Sequence, residues 1–164
     1  MISRFIVIVE GLSKGTALLS ALALACLAAL TLAEIGARAL FGMSLMVTTE
    51  YGGYLLLAAV SLGFGLTLRD GALIRITMIR RLLPPAARKG MDVFACAGGL
   101  AVSIFILWHS ARMVADHKRL DILADSMAET PLWIPQLLVP IGFSLFALQL
   151  LATAARLLTR DEEQ

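Results

Sequence analysis

The residues best able to carry chemistry in this sequence are two cysteines, two histidines and twelve carboxylates, and their spacing argues against most of it. Cys26 and Cys96 fall in different apolar stretches, with no Cys-x-x-Cys pair and no histidine or carboxylate at ligand spacing. Neither thiol redox chemistry nor zinc coordination is expected, and both cysteines read as small buried hydrophobes. His109 and His117 are separated by about two helical turns. Haem ligation in a membrane needs two axial ligands on facing helices at one depth, and this pair does not supply them. Passage of a proton or ion needs ionisable groups inside the membrane, whereas Glu34, Glu50 and Asp92 all stand at the ends of apolar runs. No catalytic residue, cofactor, metal or nucleic-acid partner is therefore expected.

What surrounds these residues is more informative. Gly15–Ala33, Tyr51–Leu68, Val93–Ser110 and Leu132–Ala155 contain no acidic or basic side chain. Each is about 18 residues or more, roughly the length a helix needs to cross the hydrocarbon core. With 59% hydrophobic residues and a mean hydropathy of +0.86, the chain has too little polar surface for a soluble domain of 164 residues. Solid apolar runs without period-two alternation select helices over barrel strands, because a helix satisfies its own backbone in lipid. The expected fold is an all-α integral membrane protein with four transmembrane helices. It forms one domain over residues 1–164, with spans at approximately 14–34, 50–69, 92–112 and 132–156.

Orientation follows from the basic residues. Arg4 and Lys14 precede the first run, Arg69, Arg75, Arg80, Arg81, Arg88 and Lys89 lie between the second and third, and Arg156 and Arg160 follow the fourth. Arg38, Arg112, Lys118 and Arg119 fall on the other side. The excess marks the cytoplasmic face, so both termini are expected there, in a multi-pass membrane protein. Ala23-Leu24-Ala25-Cys26 faintly resembles a lipoprotein cleavage box, but the run continues past Cys26, and a retained first helix is simpler. Residues 1–13 are expected to lie in the interface or to extend that helix.

The first span carries Ala17, Ala21, Ala25 and Ala29 at a spacing of four, a face that lets helices approach closely in lipid. Ser61 and Gly65, and Ala95, Gly98, Gly99 and Val102, offer similar faces. Packing of the helices on one another is the plain expectation, and docking on a larger membrane partner is the other. Glu34 and Arg38 are placed for a salt bridge if the helix continues, and Glu50 opens the second span on the same side. In the loop of basic residues, Thr77 reads as the cap of a short interfacial helix ended by Pro84-Pro85, with Met78, Ile79, Leu82 and Leu83 toward lipid and Arg80 and Arg81 toward phosphate. Trp133 fits an interfacial aromatic belt, and Pro131, Pro135 and Pro140 start or loosen the last helix. The stretch from Arg112 to Thr130 holds Arg112, Asp116, Lys118, Arg119, Asp121, Asp125 and Glu129, more charge than a connector needs.

Taken in order, several motifs frame these runs: Arg38, Phe41-Gly42 and Glu50 before the second; Leu62-Gly63 within it; Arg69-Asp70-Gly71-Ala72-Leu73-Ile74-Arg75-Ile76 after it; Leu83-Pro84; Pro131-Leu132-Trp133-Ile134-Pro135; and Pro140-Ile141-Gly142-Phe143. In this order and spacing the chain resembles the small membrane subunit of tripartite ATP-independent periplasmic (TRAP) transporters, the DctQ-like family. It departs from the family's tendencies at Leu73, at Thr77 and over Met46-Val47-Thr48-Thr49, where histidine, aspartate and a tryptophan are common.

The resemblance implies a three-part, sodium-coupled importer of an organic acid. A periplasmic substrate-binding protein captures the acid, a large TRAP permease subunit carries it by an elevator-like movement, and the small subunit is a static scaffold in contact with membrane lipids. The other two components would set the substrate. The residues singled out are Arg38 and Glu50 for the outer side, Arg69, Arg75, Arg80 and Arg81 for the inner segment, Trp133 for depth, and Asp121 and Asp125 for docking of the soluble partner. Two other classes compete. A haem- or quinone-binding anchor would have His109 as its in-span ligand, and a small homodimeric exporter would need a mid-membrane carboxylate.

Overall fold

The computed structural model describes residues 2–44, 47–69, 84–126 and 128–159. It is all-α: α1 (Ile2–Phe41), α2 (Val47–Arg69), α3 (Pro85–Arg119), a single turn α4 (Trp133–Gln136) and α5 (Leu138–Thr159). Among the described residues the β-contact is an isolated bridge between Leu123 and Pro131. Among the described residues three stretches are long and apolar enough to cross a membrane: Val7–Phe41, Gly90–Arg119 and Trp133–Ala155. α2 has 23 residues, about 34 Å of helix. Thr48, Thr49, Glu50, Gly52 and Gly53 make its first turns less apolar than the others.

Residues 2–13 extend the first helix without a break, giving a helix of 40 residues, about 60 Å long and so about twice the hydrocarbon thickness. The expected interfacial helix from Thr77 to Leu83, and with it Arg75, Arg80 and Arg81, lies outside the described residues. The last helix starts irregularly, as its prolines suggest. Pro135 is buried, and the Leu137 amide is shared between the carbonyls of Trp133 (3.2 Å) and Ile134 (3.3 Å), before α5 proper begins at Leu138.

α5 is the hub. The antiparallel α1–α2 pair packs on one side of it, and α3 packs on α5 and α4. Gly142 brings the α5 backbone against α2: a Cβ there would lie 2.7 Å from the Ser61 Cβ and 2.8 Å from its carbonyl carbon. Phe64, Phe143 and Phe146 close the same seam, with ring centroids 5.3 to 6.5 Å apart. Gly99 of α3 receives the side chain of Leu150, whose Cδ1 would be 3.3 Å from a Cβ. Large apolar side chains such as Leu22, Leu32, Phe94, Phe105 and Trp108 point outward, as a lipid-facing surface requires.

The alanine stripe is corrected by the structure. Ala21, Ala25 and Ala29 are exposed, and α1 packs instead through Val9, Ser13, Thr16, Ser20, Ala23, Leu27, Leu30 and Glu34. The reason is geometric. A strict step of four turns about 40° further round the helix each time, whereas steps alternating between three and four stay on one line. The small faces of α2 behave as expected, with Ser61 and Gly65 buried. On α3, Ala95, Gly98 and Val102 are exposed and Gly99 alone of that set meets a neighbouring helix.

Candidate functional site

Among the described residues, polar side chains gather at the end of the bundle that carries the α1–α2 turn and the α3–α4 connection. α1 stops there because Gly42 takes a left-handed φ of +66° and its amide returns to the Arg38 carbonyl at 3.1 Å, a glycine-ended helix terminus. One turn earlier the helix presents Glu34, whose side chain is 12% exposed. Its Oε1 accepts from Arg38 Nη2 at 2.9 Å and from Ser44 Oγ at 2.8 Å, and its Oε2 accepts from Thr48 Oγ1 at 3.1 Å. One carboxylate thus ties the end of α1, the turn and the first turn of α2. Arg38 is the exposed arm of this cluster, at 68%.

Glu50 does separate work. Tyr54 Oη donates to its Oε1 at 2.8 Å, and Ser126 Oγ, 76 residues away in the α3–α4 connection, donates to its Oε2. The Arg38 guanidinium is paired with Glu34, so Arg38 and Glu50 belong to two separate clusters at this end of the bundle.

Glu50 grips a connection that is itself shaped. After α3, the Ile122 amide bonds the His117 carbonyl (3.1 Å). The Ala124 amide then bonds the Thr130 carbonyl (2.9 Å), and the Leu132 amide bonds the Ile122 carbonyl (3.1 Å). Asp121 and Glu129 both adopt left-handed φ, +46° and +45°, where non-glycine residues are uncommon. This narrow loop leaves Asp121, Asp125 and Glu129 exposed at its edge. Lys118 Nζ lies 5.0 Å from the Trp133 ring centre and Arg112 lies 4.6 Å from that of Trp108. These two cations of α3 thus each cover an indole. Arg69 is the last residue of α2, at the opposite end. His109 stacks its ring on Phe105 at 4.3 Å, on the exposed face of α3.

Sequence reading named Glu34 as a partner for Arg38 but not as the centre of a three-way cluster, and it missed Ser126 as the grip on Glu50. It also passed over a buried contact in the apolar seam, where Ser13 Oγ donates to Gln149 Oε1 at 3.2 Å. An amide between leucines inside a long apolar run was the available signal.

Helices that bury small and hydroxyl side chains against each other while turning large apolar ones outward define a multi-pass membrane protein. The profile of a known family, the DctQ component of the tripartite ATP-independent periplasmic transporters, matches residues 17–160, and the chain belongs to that family. It is similar to the ectoine TRAP transporter small permease protein TeaB of Halomonas elongata, 28% identical over 148 residues that make up 90% of this chain and 76% of that one. The protein is accordingly a transporter subunit of the small permease type, not an enzyme, and resides in the inner membrane.

Proposed function

We propose that this chain is the static scaffold subunit of a sodium-coupled, binding-protein-dependent importer of an organic acid. In this reading it is one domain over residues 1–164 that crosses the membrane four times, with both termini in the cytoplasm. It stands beside a large elevator-type permease subunit. The observation that carries the reading is the exposure of small-residue faces. Ala21, Ala25 and Ala29 on α1, and Ala95, Gly98 and Val102 on α3, are left uncovered by the chain's own helices. Such faces yield little against lipid but allow close approach of another helix. The carboxylates Glu34, Glu50 and Asp92 sit at the ends of the apolar runs, which suits a scaffold rather than an ion carrier.

Sidedness is tested by reporters active only in the periplasm. Fusions after Gly42 or Leu123 should be active and those after Ala86 or at Gln164 inactive; activity at Ala86 would reverse the orientation. In the same reading the exposed edge of the α3–α4 loop faces the arriving periplasmic binding protein. Asp121→Lys with Asp125→Lys should slow uptake at limiting binding protein, with an effect that fades as salt rises, while assembly with the large subunit is preserved. Uptake unchanged at every binding-protein concentration and ionic strength would confine the loop to a connecting role.

A further inference from the structure

Gln149 is a neutral amide that none of the foregoing uses. It lies on α5, 2% exposed, flanked by Leu148 and Leu150, and about 24 Å along the helix axis from Trp133. Its one partner from α1 is Ser13, also 2% exposed, whose hydroxyl donates to it at 3.2 Å. α2 makes room for this meeting by having no side chain at Gly65, where a Cβ would come within 3.1 Å of Ser13 Oγ. Three helices therefore converge on this contact, the side-chain-to-side-chain hydrogen bond between α1 and α5 among the described residues; α1 meets α2 separately, where Ser20 Oγ donates to the Ala59 carbonyl.

We infer that Gln149 is a register pin, fixing how far α1 stands along α5. The physical reason is a difference between contacts that tolerate sliding and one that does not. Where α1 faces α5 through larger apolar side chains such as Ile8, Val9 and Leu12 around a cavity, a shift by a turn exchanges one loose apolar contact for another. A buried amide that loses its donor is penalised, because nothing in hydrocarbon replaces it. Along the packing line of α1, the residue one turn before Ser13 is Val9, which has no donor. One turn after it is Thr16, whose hydroxyl already donates to the Ser13 carbonyl at 3.2 Å. Of these three, Ser13 at its present level supplies a hydroxyl to the amide oxygen. The next residue, Leu150, seats α3 through Gly99, so the pin acts at the level where α5 also holds its other neighbour.

The test uses the full chain in lipid nanodiscs, with Cys26→Ala and Cys96→Ala as background. Ile8, Leu12, Leu145 and Leu148 line one apolar cavity of about 130 Å³ between α1 and α5, so cysteine pairs drawn from them report the register by cross-linking. With Gln149 present, one set of pairs should dominate. Gln149→Leu should spread cross-linking to pairs one turn away and lower the melting temperature by several degrees. Ser13→Ala should do the same, and the double variant should be no worse than the worse single one, while Ser13→Thr, which keeps the hydroxyl, should retain the native pattern. If Gln149→Leu does not accumulate, Ser13→Ala decides alone. An unchanged cross-linking pattern with an equal or higher melting temperature, the result for a side chain that merely fills space, would overturn the inference.

Discussion

At one end of the molecule Glu34 gathers Arg38, Ser44 and Thr48, while Glu50 holds Tyr54 and Ser126. Further along the bundle the helices meet through glycines, serines and one amide, with Gly142 against Ser61 and, about 30 Å from Glu34 along α1, Gly65 against Ser13. The two regions solve one problem in different solvents. Where water reaches, apolar contact alone would hold helices together, but turns and loops need fixing, and charged groups with several donors do that. In the seam, hydrophobic burial supplies little and closeness supplies most, so side chains shrink until backbones touch. Loss of a small residue in the seam should therefore cost more than loss of a charge at the rim.

The largest effect is expected at Gly142. Gly142→Val would push a branched side chain into the Ser61 backbone and should destabilise the protein by about 3 kcal/mol, read as loss of monodisperse protein in detergent or a steep fall in melting temperature. A mild effect would mean that α2 and α5 can separate without consequence, and the seam would lose its primacy. Next comes the Glu34 cluster. Glu34→Ala removes the acceptor for three donors and should cost about 1–3 kcal/mol, whereas Arg38→Ala removes an exposed arm and should cost about 0–1 kcal/mol. Equal losses would show that the ion pair, and not the hub, holds this end. The smallest effect on global stability is expected from Glu50→Ala, which releases Ser126. It should appear as faster limited proteolysis within residues 121–130 at nearly constant melting temperature. Unchanged cleavage would mean that the loop's backbone hydrogen bonds suffice to shape it.

Much of this arrangement was legible in the sequence because hydrophobic run length and proline position act locally. The helices lie where apolar runs predict them, the last one starts irregularly at its prolines, and Glu34 meets Arg38 because helical spacing alone brings them together. Residues 2–13 left two readings open, since an apolar face with Arg4 and Glu10 off it suits both an interfacial helix and an extension; continuity with α1 decides for the extension. Which face packs was not legible. The alanine stripe suggested one face of α1, but the neighbours that select a face come from distant helices, and the seam drawn by Ser13, Ser20 and Leu27 emerges only beside Gly65, Gly63 and Gly52. The Glu50 cluster was hidden for the same reason, its partner being 76 residues away.

The central claim is that this subunit supports transport without performing it, and reconstitution tests that most directly. In liposomes with an imposed sodium gradient, the purified chain alone should accumulate no labelled organic acid. Addition of the large permease subunit and the periplasmic binding protein should produce uptake that depends on all three. Sodium-driven accumulation by the isolated chain, or undiminished uptake when it is omitted from the complex, would contradict the account.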